Sequence, residues 1–286
     1  MSGMNPLARL AGFAVAAALI FAGAAFAGSR IDVDPGKAEP EKAAMHTMAA
    51  DGTGTMAPQP VRGLAVSEKG LTLELARRSA PRGKPFELAF RIVDRSGQTV
   101  RDFDVEHTKR MHFIVVRRDM TGFQHLHPTE GPDGTWSVPV TLPDAGSYRV
   151  FADFAVDDKP YTLADDVTVD GPVRSQALPR PVRSVDVDGL RVALTEGAAK
   201  AGAESELAFT VTRDGTPVAI QDYLGAKGHL VALRQGDLAF LHVHPDENSL
   251  KFMATFPTAG SYRLFLQFKT DDGRLHTAAF TQEVTR

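Results

Sequence analysis

The chain has 286 residues, 43% of them hydrophobic, with 32 Lys and Arg against 35 Asp and Glu and a formal charge of −3, the balance of an ordinary globular protein. It has no basic block to neutralise phosphates, so nucleic acid is excluded as a partner. It has no cysteine, which rules out disulfides, thiolate metal sites, iron–sulfur clusters, cysteine nucleophiles and a lipid-modified cysteine.

In residues 1–27, Arg9 is the one charged side chain, and the apolar run from Leu10 ends in Ala25-Phe26-Ala27. A basic start, an apolar stretch and small residues at the end predict a signal peptide, hence a secreted or periplasmic, cell-envelope protein. Membrane contact is expected only if this leader stays uncleaved. Residues 28–60 are rich in Ala, Gly, Pro and charge without apolar periodicity, which predicts a disordered tether. Met45, His46, Met48 and Met56 lie there and read as linker, although thioether and imidazole suit Cu(I).

From Val61 the pattern changes to short runs of alternating apolar residues: 71–75, 86–93, 112–116, 136–140 and 148–154. Period-two runs separated by turn residues, with no sustained 3.6 periodicity, predict an all-β fold. Pro143 to Phe154 aligns with Pro257 to Phe268 at eight of twelve positions, and His112 to Pro128 aligns with His229 to Pro245 without a gap. The chain is therefore read as two tandem immunoglobulin-like Greek-key β-sandwich domains, 61–171 and 184–286, joined by a Pro-rich linker, 172–183. The tyrosines of the repeated Ala-Gly-Ser-Tyr element, Tyr148 and Tyr262, are expected to form tyrosine corners that bond nearby backbone.

Six of the nine histidines fall in two copies of one pattern, H-x12-H-x-H-P: His112, His125, His127 and His229, His242, His244. In the second copy a two-residue loop at Gly236-Asp237 would place His229 opposite His244, with His242 two residues along on the same face. In the first copy the same register opposes His112 and His127, around a loop near Asp119-Met120. A slip by two residues would keep all three rings on one face, since only an odd slip changes faces. Three imidazoles converging in each domain predict one metal site per domain, for copper as Cu(II) or alternatively zinc. Proton competition should weaken binding steeply below about pH 6, near the imidazole pKa.

Glu106 and His107 precede the first trio and are, with Asp153, possible fourth ligands, but they read rather as a solvated loop. Asp153 could lie on an adjoining strand, with Leu224 and Gln267 in the matching places of the second copy. His276 reads as a strand-surface residue. No Gly-rich phosphate loop, G-x-S-x-G or H-E-x-x-H pattern is present, so an enzyme is not expected. The competing reading is a metal-free adhesion or scaffold module whose histidines merely terminate strands.

The run Met111-His112 to Asp119, followed by Phe123-Gln-His125-Leu-His127-Pro128 and Ala145-Gly-Ser-Tyr148, resembles the YtkA-like family of extracytoplasmic sandwich domains. It is also broadly similar to CopC-type periplasmic copper proteins. The resemblance implies secretion, an immunoglobulin-like fold, copper handling with an envelope copper-handling partner, and the six histidines as ligands. The folded part departs from the CopC type in having no N-terminal amine and no Met-rich loop for copper.

Overall fold

The computed structural model describes residues 61–245 and 249–286. The expected signal peptide and tether, with Met45, His46, Met48 and Met56, lie outside them, as do the side chains of His242 and His244. No helix among the described residues is long and apolar enough to cross a membrane.

The chain is all-β, in two tandem sandwiches. The principal strands of the first are β1 (Leu71–Leu75), β2 (Pro85–Val93), β3 (His112–Arg117), β4 (Gln124–Leu126), β5 (Trp136–Thr141), β6 (Gly146–Val156) and β7 (Lys159–Val169). Those of the second are β8 (Leu190–Glu196), β9 (Glu204–Arg213), β10 (Gly228–Arg234), β11 (Phe240–Pro245), β12 (Lys251–Thr255), β13 (Gly260–Thr270) and β14 (Leu275–Thr285). In the first sandwich β1-β2-β5 form one sheet and β7-β6-β3-β4 the other, so β3 pairs with β6 across a non-consecutive connection, as in a Greek key. The second sandwich repeats this order, except that β11 pairs with both β10 and β12 and joins its two sheets into one path.

Each sandwich closes on its own core, because the strands alternate apolar and polar residues across the pleat. Phe90 stacks on Phe113 at 4.7 Å in the first. Phe209 meets Phe252 edge-on at 5.9 Å in the second. Both tyrosine corners form: the Tyr148 hydroxyl donates to Asp144 O and that of Tyr262 to Thr258 O, each at 3.0 Å.

A third core lies between the two sandwiches, built from the outward faces of β3, β6, β10 and β13. Phe123 stacks on Phe265 at 4.0 Å, and Phe151 meets Phe240 at 5.3 Å. In the repeat alignment Phe123 corresponds to Phe240 and Phe151 to Phe265, so each contact is the counterpart of the other. That reciprocity is the signature of an isologous interface, here between two halves of one chain.

This seam explains why the turns depart from expectation. In place of the two-residue loop at Gly236-Asp237, Leu238 N bonds Arg234 O at 3.0 Å and the pairing closes between Arg234 and Ala239. Leu238 takes a φ of 60° and Met120, at the matching hairpin tip, 65°. Both side chains are buried in the third core, so apolar burial offsets a backbone conformation unfavourable for branched or bulky residues. Gly63, at φ 70°, passes so close to Phe151 and Phe240 that a Cβ would sit 2.7 Å from Phe240. The linker is held as well, Gln176 N donating to Asp119 Oδ2 at 2.8 Å.

Candidate metal centre

The registers place the histidine backbones as the spacing predicts. β3 and β4 pair Phe113 with Leu126 and Ile114 with His125, and one step further opposes His112 and His127. β10 and β11 pair Leu230 with Val243 and Val231 with His242, and one step further opposes His229 and His244.

In the first domain the side chains converge. The rings of His112, His125 and His127 stand 5.3, 5.1 and 4.9 Å apart, centroid to centroid. One nitrogen from each lies within 4.8 Å of the other two, an arrangement that could hold a metal ion. Rings sharing a tetrahedral ion at ordinary nitrogen distances of about 2.0–2.1 Å have centroids roughly 5 Å apart, which the trio matches.

Hydrogen bonds around the trio decide which nitrogens carry lone pairs. His112 Nε2 lies 3.2 Å from Glu106 O. A carbonyl can only accept, so Nε2 bears the hydrogen and Nδ1 the lone pair. His125 Nδ1 donates to Gln267 Oε1 at 2.9 Å, while Gln267 Nε2 donates to Thr277 Oγ1 at 3.2 Å, which leaves the lone pair of His125 on Nε2. His112 Nδ1 and His125 Nε2 are 3.1 Å apart. Two basic nitrogens at that distance are reconciled by a cation between them, a proton or a metal. The buried Nε2 of His127 has no hydrogen-bond partner, a rare condition for a buried polar atom and a suitable one for a ligand.

Burial, with the neighbouring His112, His127 and His229 rings, drives the pKa of His125 well below the usual imidazole value. Burial also takes His127 down to about 3. Both are therefore neutral at pH 7, the state a metal needs.

The same device recurs in the second domain. His229 Nε2 donates to Tyr223 O at 2.8 Å, and Tyr223 corresponds in the repeat to Glu106. In both copies the accepting carbonyl begins a tight turn with two positive φ angles, His107-Thr108 and Leu224-Gly225. Backbone hydrogen bonds close each turn, Glu106 to Lys109 and Tyr223 to Ala226.

Two expectations need correction. His107 is not in a solvated loop: its ring lies 6.3 Å from His112 and 5.8 Å from His229. His276 is not on the surface. It is buried, with Nδ1 2.8 Å from Asp188 Oδ2 and Nε2 2.9 Å from Thr270 Oγ1, because its strand turns that residue inward beside Phe268. Gln267, the counterpart of Asp153, pairs with His229 in the register, and its amide oxygen reaches His125 in the other domain. Sequence spacing carried no signal for that contact, because it exists only after the domains dock. Asp153 does lie on the adjoining strand, opposite His112, and is buried with Oδ1 accepting from Thr162 Oγ1 at 2.7 Å.

These features define a tandem β-sandwich protein with a histidine cluster built against the seam between its halves. A family model described as a domain of unknown function, DUF8832, matches residues 65–171 and again 185–286, and the chain belongs to that family. No curated protein matches the sequence. Among solved structures, the chain is similar to a Salmonella alpha-2-macroglobulin reacted with methylamine, at 16% identity and a TM-score of 0.28, covering 80% of this chain and 15% of that one. It is similar to the Escherichia coli adhesin FdeC at 14% identity and a TM-score of 0.27, covering 78% and 66% of the two chains. Fibronectin(III)-like modules of Clostridium thermocellum CbhA match at 13% identity and a TM-score of 0.21, covering 75% and 94%.

Proposed function

We propose that this protein is an exported metal-binding protein, holding Cu(II) or Zn²⁺ on His112, His125 and His127 and serving to buffer or pass on metal in the cell envelope. The observation that carries this reading is the 3.1 Å approach of the lone-pair nitrogens of His112 and His125, beside the unpartnered buried nitrogen of His127. Imidazole suits both ions, and the Irving–Williams order favours copper. His229, His242 and His244, whose backbones repeat that register, are proposed as further metal ligands. The resemblance to YtkA-like and CopC-type proteins and the leader-like start of the sequence belong to this reading, as does an envelope copper-handling partner. The role is binding and not catalysis.

A second reading, a metal-free adhesion or scaffold module, is favoured by one observation: His112 and His229 each spend a nitrogen on a backbone carbonyl. Titration of the purified protein with Cu(II) and Zn²⁺ at pH 7.5 separates the two. Metal binding reduced by His112→Ala, His125→Ala and His127→Ala together, and abolished when His229, His242 and His244 are also replaced, supports the metal centre. Absence of binding, or binding unchanged by all six replacements, overturns it in favour of the module.

A further inference from the structure

Beside the trio, at the seam, lies a cavity of ≈ 10 Å³ lined by His107, His112, His125, Asp153 and His229 together with apolar residues, the room of roughly one water-sized sphere. Four of those five polar residues come from the first domain and His229 from the second. The His229 ring stands 6.0 Å from that of His125 and 5.8 Å from that of His107, somewhat wider than the spacing within the trio. Its Nε2–H is spent on Tyr223 O, so its lone pair is on Nδ1, the tautomer His112 adopts for the same reason. Three nitrogens of the first domain supply three vertices of a four-coordinate site; among the described residues, the second-domain imidazole beside them is that of His229. A second cross-seam bond, Gln267 to His125, holds one of the three in place from the opposite domain. The carboxyl group of Asp153 is buried on the wall of the cavity, Oδ1 accepting from Thr162 Oγ1, and adds an oxygen donor to the histidines there.

We infer that the second sandwich completes the centre, with His229 as the fourth ligand, so that the bound ion fastens the two domains to each other. This rests on the reading of His112, His125 and His127 as a metal site.

The test uses the full chain carrying His242→Ala and His244→Ala, which leaves the first trio and His229 as the only members of the two patterns, with Zn²⁺ as probe. Zinc affinity is measured by competition with a chelating dye, and amide exchange on β3, β10 and β13 is followed with and without zinc. In this background zinc is expected to bind once and to slow exchange on β10 and β13 as well as β3. Adding His229→Ala or His229→Gln is expected to weaken binding at least tenfold and to confine the protection to β3. Unchanged affinity in both His229 variants, with zinc protecting β3 alone in the background, overturns the completion by His229 and leaves the trio standing. No zinc bound in the background overturns both.

Discussion

His125 on β4 and Gln267 on β13 meet across the seam, the imidazole Nδ1–H of one sandwich donating to the amide oxygen of the other at 2.9 Å. This bond fixes the tautomer that presents Nε2 to His112. Partners of this kind, outside the ligands themselves, commonly change metal affinity by 10–100-fold. Gln267→Leu is therefore expected to weaken zinc binding by about that factor, while Gln267→Glu, which can still accept the bond, restores it. Isothermal titration of the variants checks this; equal affinities for Leu, Glu and the wild type would remove Gln267 from the site.

The depressed basicity of His125 and His127 revises the pH dependence expected from sequence. Three imidazoles of ordinary pKa would cost roughly a thousandfold in affinity between pH 7.5 and 5.5. Here two of the three are already neutral in the free protein, so a loss far smaller than a thousandfold is expected. Zinc titrations at the two pH values decide it, and a loss near a thousandfold would show that the site does not depress these groups.

The same shifts act on stability in the metal-free chain. A histidine whose folded pKa lies below its unfolded value of about 6.5 binds fewer protons folded than unfolded, so the fold loses stability as pH falls through 6.5 and onward toward the folded pKa. For His127 that window runs from about 6.5 down to about 3. Urea denaturation at pH 7 and pH 5 is expected to show a weaker protein at pH 5, and His127→Asn a smaller difference. An identical pH dependence in that variant would count against the shift.

The reciprocal phenylalanine contacts predict that the seam contributes to global stability. Phe265→Ala removes a buried ring stacked on Phe123, and such truncations cost about 3–5 kcal/mol. A loss below about 1 kcal/mol in chemical denaturation would mean that the two sandwiches do not depend on each other.

His276 offers a contrast with the trio. Replacing it by Ala breaks its bonds to Asp188 and Thr270 and should cost about 1–3 kcal/mol. Metal stoichiometry should not change, since His276 belongs to neither trio. Altered stoichiometry would place this residue in the metal chemistry after all.

Much of the fold was legible in the chain because it depends on local alternation and on repetition. The strand 71–75, both tyrosine corners and the hairpin registers follow from period-two patterning, from the repeat and from where each hairpin loop is centred. The pairing Ile114 with His125 and Val231 with His242 is that prediction realised. The turns were misread at Gly236-Asp237 because turn chemistry is a local preference, and the burial of Leu238 between the domains outweighs it.

By itself, then, the amino-acid order determined two all-β repeats and put three histidine backbones of each on one hairpin, since pleat and register need only neighbouring residues. Docking of one sandwich on the other decided the rest: the burial of His276 aside, it is contact between residues far apart in the chain that brings His107 and His229 together and sets Gln267 behind His125. Such contacts obey shape and desolvation over the whole molecule, which no local spacing encodes.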